Sequence, residues 1–121
     1  AAALEQANAL ETDEREGLVR AYLETPLPEN WEELSIYERR NYLNGGEFDG
    51  KAVGVKQRET VCNMEIWCEC FQRDMASMKP SDSYAIAVLI NKIGGWERAE
   101  KTRRTTLYGK QRFYKKVKNN T

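Results

Sequence analysis

The sequence contains no histidine. That absence excludes catalysis by Ser–His or Cys–His pairs, the usual proton shuttles near neutral pH, and most mixed-ligand zinc sites. Cysteine is scarce as well: the chain has only Cys62, Cys68 and Cys70. Three is an odd number, and the last two cysteines are only two residues apart. This pattern suits buried thiols in a reducing cytosol better than a disulfide framework. We therefore expect neither a metal site nor a cofactor.

Long apolar runs are also missing. The longest, residues 85–90, is far shorter than the roughly 20 residues that a membrane-spanning helix requires. Nothing near the first residue is typical of a signal peptide. The 121 residues are enough for one domain, and 31% charged against 40% hydrophobic residues predicts a modest core. We expect a cytoplasmic protein that makes no membrane contacts.

What the sequence does have is charge segregated along the chain, although the formal net charge is zero. Residues 92–121 contain ten Lys or Arg and two acidic residues, a net charge of +8, whereas residues 1–50 contain twelve acidic and four basic residues, a net charge of −8. A basic end of this kind is typical of a surface that binds a polyanion, most commonly a phosphate backbone. A solvated basic tail that binds nothing is the plainer interpretation.

Composition divides the chain into four segments. Residues 1–11 are a helix-prone terminus or the tail of an upstream domain, and residues 12–45 are an acidic helical arm. Residues 46–56 are a glycine-rich linker, and residues 57–118 are a compact domain. The glycines make the linker the expected hinge. The sequence leaves open whether the arm packs on the domain or belongs to an upstream one.

Capping residues place the helices of the arm. Thr12 caps a helix that continues to about Leu23, and Ser35 with Glu38 forms a capping box for a helix that ends before Gly45. Glutamates on these and later helices could supply paired carboxylates for acid–base chemistry, but we interpret them as solvated helical faces.

In residues 57–118 the apolar pattern predicts two helices. Val61, Met64, Cys68 and Phe71 recur at helical spacing, which predicts a buried helix over residues 57–71. A second helix begins at Ser81 or Asp82 and ends at Gly94. Its buried stripe is predicted to contain Ile86, Leu89, Ile90 and Ile93.

A β-hairpin is predicted after the second helix. Residues 102–107 and 112–117 are β-prone runs on either side of a turn at residues 108–110, where Gly109 provides the positive φ. Alternation predicts that Phe113 and Val117 face the core, while the row Arg112, Tyr114 and Lys116 faces outward.

Two helices, a glycine stop and a basic hairpin follow one another in the order of a winged helix. The predicted fold class is therefore mainly α with a small β-hairpin, a winged helix-turn-helix preceded by the acidic helical arm. In this design the second helix enters the major groove of double-stranded DNA and the hairpin lies along the adjacent backbone. The predicted DNA-binding residues of the second helix are Ser83, Tyr84, Ala87, Asn91 and Lys92; those of the hairpin and its approach are Arg98, Lys101, Arg103, Arg104, Lys110, Arg112, Tyr114, Lys115 and Lys116.

Residues 13–117 resemble the C-terminal part of the virulence-associated protein E family, replication proteins encoded by phages and genomic islands. The resemblance rests on Arg58–Phe71 (RETVCNMEIWCECF), Gly95–Arg98 (GWER) and Tyr108–Arg112 (YGKQR), and on Leu27–Trp31 (LPENW) with Ile36–Arg40 (IYERR). It implies a parent P-loop ATPase of the primase–helicase kind, of which this chain is the tail domain. It also implies the ATPase domain or other replication proteins as partners.

The ATPase itself is not expected in this chain. Gly45–Ala52 matches the spacing G-x4-G-K, but Ala52 stands where a Ser or Thr would bind magnesium, and the stretch follows a predicted helix instead of a strand. We interpret it as a linker and expect no enzymatic activity. Two functions stay open: a non-catalytic DNA-binding accessory domain, or a docking module through which the parent ATPase binds another protein.

Overall fold

The computed structural model describes residues 14–45 and 54–117 as helices arranged around a small three-stranded antiparallel sheet. Thr12, the terminus 1–11 and most of the glycine-rich linker lie outside the described residues. The helices are α1 (residues 14–24), α2 (Ile36–Leu43), α3 (residues 63–70) and α4 (Pro80–Ile93), with short 3-10 turns at Trp31–Glu33 and Met75–Ser77. The strands are β1 (Thr60–Cys62), β2 (Trp96–Thr105) and β3 (Gly109–Lys116).

The predicted ends of α2 and α4 are largely confirmed. Glu38 donates its backbone N–H to Ser35 Oγ at 3.2 Å, and its Oε1 accepts the N–H of Ser35 at 3.0 Å, which is the predicted capping box. Helix α4 ends at Gly94, whose φ of 77° favours glycine. Its start lies slightly earlier than predicted, at Pro80, since proline is well suited to the first turn of a helix.

The predicted helix over residues 57–71 is wrong in its first part. Residues 60–62 form β1, which pairs antiparallel with β3 in the register Val61↔Tyr114. Strand pairing satisfies the backbone of this short segment, while Val61 still reaches the core. Helix α3 begins only at Asn63, where Glu65 Oε1 accepts the N–H of Cys62 at 3.0 Å. After Glu65 it continues as a π-helix through Ile66–Cys70.

The acidic arm and the following domain share one hydrophobic core. Val19, Tyr22 and Leu23 of α1 are buried in the same cluster as residues of β1, α3 and α4. The stripe predicted for α4 is confirmed, with Ile86, Leu89 and Ile90 buried and Ile93 packed against the cluster. A second cluster, Leu27, Trp31 and Leu34, also packs against Leu43 of α2, and Leu43 in turn contacts the main core. The arm therefore packs on the domain.

The hairpin is longer than predicted, and its turn occupies residues 106–108. Gly109 has the expected positive φ, 70°, but it is the first residue of β3. In the sheet, β3 lies between β1 and β2.

The predicted orientation of the hairpin faces is wrong. Tyr114 is half-buried against the core together with Trp96, its near neighbour on the adjacent strand, whereas Val117 is 49% exposed. Phe113 is buried as predicted, at 5% exposure, and it lies on the face opposite Tyr114. Each face of β3 therefore carries an aromatic side chain that is at least half-buried. In the register of β3 with β1, Tyr114 lies beside the buried Val61. Tyr114 and Trp96 therefore pack on the core, while the charged residues on the same side of the hairpin stay exposed.

Candidate nucleic-acid interface

Five basic side chains share one face of the hairpin. The pairs Arg98↔Tyr114, Trp96↔Lys116, Thr102↔Arg112 and Arg104↔Lys110 each place two side chains on the same side of the sheet, and this side is common to all four. We call the five residues Arg98, Arg104, Lys110, Arg112 and Lys116 the cationic face. All are exposed. The ion pairs among residues 14–45 and 54–117 involve none of them.

One pair within the cationic face is unfavourable for the isolated hairpin. Arg104 and Lys110 lie directly opposite each other near the turn, and like charges at such positions destabilise a sheet. The hairpin has two acidic residues, Glu97 and Glu100, but neither relieves this repulsion. Glu97 is paired with Lys115 on the opposite face, and Glu100 lies where the register is interrupted. An external anion would remove the penalty.

Three predicted hairpin residues lie elsewhere, and a fourth, Tyr114, shares the side of the cationic face but is partly covered. Lys101 is exposed in the interrupted stretch of β2, and Lys115 is exposed on the face opposite the cationic face. Arg103 shares that opposite face, and its Cζ lies 4.1 Å from the ring centre of Phe113. Tyr114 is partly covered by the core, so it is not a free member of an outward row as predicted.

The exposed side of α4 differs from the predicted one. Tyr84, Val88 and Asn91 are exposed, with Tyr84 at 73%. Ser83 and Ala87 are half-buried. Ser83 is tied into the fold because Asn63 Nδ2 donates to its carbonyl at 3.2 Å and to its Oγ at 3.0 Å.

Helix α4 contributes little charge to the interface. Lys92 is exposed, but its Nζ lies 3.9 Å from Glu16 Oε1 of α1. The positive charge of this part of the protein is therefore concentrated on the hairpin. Helix α4 instead exposes an aromatic and an amide side chain, those of Tyr84 and Asn91.

A buried charged cluster connects the arm to the domain, which sequence reasoning missed. Arg39, Arg58, Glu65 and Glu69 are each almost inaccessible to solvent. Arg39 Nη1 lies 2.7 Å from Glu69 Oε2 and 3.3 Å from Glu65 Oε2, and Arg58 Nη1 lies 3.8 Å from the latter atom. The two glutamates are thus not part of a solvated helical face. Their i, i+4 spacing on one helix was the available signal, but their arginine partners lie far away in sequence.

Two tyrosine hydroxyls donate further hydrogen bonds to the Glu69 carboxylate. The hydroxyl of Tyr22 donates to Oε1 at 2.7 Å, and that of Tyr108 donates to Oε2 at 2.6 Å. Burial raises the pKa of both hydroxyls, and the nearby Glu69 raises them further, so both remain protonated donors. Residues from α1, α2, α3 and the hairpin turn therefore meet at one carboxylate.

Burial also raises the pKa of Glu65 to about 7. The neighbouring Glu69 adds to this effect, whereas Arg58 and Arg39 oppose it. A raised carboxyl pKa is a feature of many active sites. Here, however, Glu65 is 6% exposed, contacts both arginines and caps α3 through the N–H of Cys62. These contacts indicate a structural role for Glu65, which helps to hold the arm on the domain.

Within the described ranges, no three or more Cys, Asp or Glu side chains are grouped so that they could hold a metal ion. The thiols there are protonated, since burial raises the pKa of Cys68 to about 11 and that of Cys70 to about 12. None of the helices described is both long enough and apolar enough to cross a membrane.

No protein-family model matches the chain, and no curated protein matches it either.

Proposed function

We propose that the chain is a non-catalytic domain that binds double-stranded DNA through the cationic face of its hairpin. The supporting observation is the arrangement of that face: five exposed cations on one side of two paired strands, outside every ion pair of the described residues, with Arg104 directly opposite Lys110. Repulsion of this kind is relieved when phosphates lie between the side chains.

The element order supports a winged-helix interpretation of the same site. A strand, two helices, a glycine stop and a hairpin follow one another, and the first strand pairs with the last. In a winged helix, α4 is the helix that enters the major groove and the β2–β3 hairpin is the wing. Tyr84, Asn91 and Lys92 are then the helix residues that face DNA, and an asparagine amide can hydrogen-bond the edge of adenine.

The biological setting comes from the resemblance to the virulence-associated protein E family. We propose that the domain serves replication of a phage or genomic island as the DNA-binding tail of a primase–helicase-type ATPase. The motifs around Arg58–Phe71 and Tyr108–Arg112 are the basis for this proposal.

A docking module of the parent ATPase is the second candidate. It is favoured by Tyr84 and Val88, which leave an uncharged, partly apolar stripe exposed on α4. In that case the helix contacts a protein, and the hairpin contacts an acidic protein surface.

Fluorescence anisotropy with a labelled blunt duplex tests the first candidate. We expect weak binding, micromolar or poorer at physiological salt, because a single small module makes few contacts. Arg112→Ala and Lys116→Ala should each weaken binding and lower the slope of log K against log salt by about one unit. Arg20→Ala is the matched control, since it removes one exposed charge from α1. Absence of binding at low salt, or equal effects of all three substitutions, would refute the proposal.

A further inference from the structure

The pairing of β2 with β3 is interrupted in the middle of the hairpin, and a cavity opens there on the face opposite the cationic face. Between the pairs Arg98↔Tyr114 and Thr102↔Arg112, β2 contributes residues 99–101 where β3 contributes Phe113 alone. Two extra residues make β2 bulge away from its partner. A cavity of about 590 Å³ lies at the bulge, within the size range of small-ligand sites. We call it the bulge pocket.

The bulge pocket is lined by an aromatic ring with a guanidinium group stacked on it. Phe113 is 5% exposed, and the Arg103 guanidinium lies over its ring, with Cζ 4.1 Å from the ring centre. Arg103 is itself exposed, and its one side-chain hydrogen bond among the described residues is long, 3.4 Å from Nη2 to Thr60 Oγ1. An exposed cation–π contact and a long hydrogen bond hold a side chain weakly. Arg103 can therefore move off the ring at small cost.

The charge around the pocket is positive. Lys101, Arg103 and Lys115 line it together with Glu97 and Glu100, and Arg98 of the cationic face borders it at the bulge, which leaves a net charge of +2. A planar group that enters would stack on Phe113 and be covered by Arg103, and cations at the rim would meet an attached phosphate. Aromatic rings and guanidinium planes are the surfaces on which proteins stack unpaired bases.

We propose that the bulge pocket takes up one unpaired nucleobase of bound DNA, stacked between Phe113 and Arg103, with Lys101 and Lys115 next to its phosphates. The inference rests on the proposed function, because the base belongs to the DNA that the cationic face binds. A base inside a duplex is paired and stacked, and therefore cannot enter. The domain accordingly prefers DNA in which a duplex adjoins a single strand.

Three DNAs test the proposal by anisotropy: a blunt duplex, the same duplex with a short unpaired extension, and the same extension built from abasic nucleotides. The abasic DNA has the same phosphates without the bases, so it separates stacking from charge. Since stacking of one base changes affinity by about fivefold to 150-fold, the natural extension should bind at least about fivefold more tightly than the abasic one.

Two variants and a matched control locate the effect. Phe113→Leu, which keeps an apolar side chain, and Arg103→Ala should reduce the ratio between natural and abasic extensions to about one. Arg104→Ala removes the same charge from the adjacent position on the other face, so it should weaken binding of all three DNAs and leave the ratio unchanged. Thermal melts of each variant establish that it is folded.

The outcomes distinguish the two proposals. Equal binding of natural and abasic extensions by the unmodified protein overturns the pocket and leaves duplex binding intact. Loss of the ratio in Arg104→Ala as well as in Arg103→Ala shows that charge and not stacking produces it, which also overturns the pocket. If none of the DNAs binds, both proposals fail.

Discussion

Replacing Lys110 with glutamate should make the protein more stable and a poorer DNA binder at once. Lys110 lies opposite Arg104, so the substitution changes a like-charge pair into an ion pair. Cross-strand charge pairs contribute about 0.2–1 kcal/mol, and solvent screening keeps exposed pairs near the low end of that range. Removal of repulsion together with new attraction should raise the free energy of unfolding by about 0.5–1 kcal/mol. For a domain of this size that is a rise in Tm of about 2–8 °C.

The effect on binding should be larger and opposite in sign. One phosphate contact is lost, which lowers the salt slope by about 0.9, and the new carboxylate repels the backbone. At 0.1 M salt the lost contact alone corresponds to about an eightfold weaker complex. Thermal melts and anisotropy titrations of the same preparations measure both quantities. Lys110→Gln is the control, since it removes the repulsion without creating an attraction and should be intermediate in both.

Two results would refute this reasoning. If Lys110→Glu melts at a higher temperature and binds duplex DNA as tightly as the unmodified protein, the cationic face is not the DNA-binding surface. If it melts at a lower temperature, Arg104 and Lys110 are not cross-strand neighbours as the register places them.

The remaining predictions concern the core. Removal of residues 14–24 takes Val19, Tyr22 and Leu23 out of the shared core, so calorimetry should show no cooperative unfolding transition; a retained transition would mean that the arm is separable at the glycine hinge. Because the pKa of Glu65 is raised from 4.5 to about 7 in the folded protein, the folded state binds this proton more tightly than the unfolded state, and the free energy of unfolding should rise as pH falls through this window. Urea melts from pH 8 to 5 should show that rise, and Glu65→Gln should flatten it; an unchanged pH dependence in the variant would assign it to another group.

Local patterns predicted the elements that local interactions determine. The capping box at Ser35, the glycine stop at Gly94 and the buried stripe of α4 depend on residues within one or two helical turns, and the sequence contains them in full. Strand β1 could not be predicted in this way. Val61, Met64 and Cys68 have helical spacing, and only the pairing of residues 60–62 with β3, about fifty residues later, makes the first of them part of a strand.

The candidate site was predicted in composition but not in geometry. Alternation correctly separated Phe113 from Arg112 and Lys116, but it could not show which side of the hairpin faces the core. It also could not show the bulge at residues 99–101, where β2 has two extra residues opposite Phe113; because two is an even number, Arg98 and Arg104 still share a face, as alternation predicts. The burial of Arg39 and Glu69 escaped prediction because charged residues on helices are usually solvated.

The hydrogen bonds to the Glu69 carboxylate have a consequence for how the chain folds during synthesis. Its partners Tyr22, Arg39 and Tyr108 lie 47, 30 and 39 residues away along the chain. Closing such long loops slows folding. Chains are made from the N-terminus, so this carboxylate lacks its last donor until the hairpin turn has been synthesised. Burying it earlier would leave it short of a partner. We therefore expect this carboxylate to be buried only after the C-terminal hairpin, the segment that we propose binds DNA, has been synthesised.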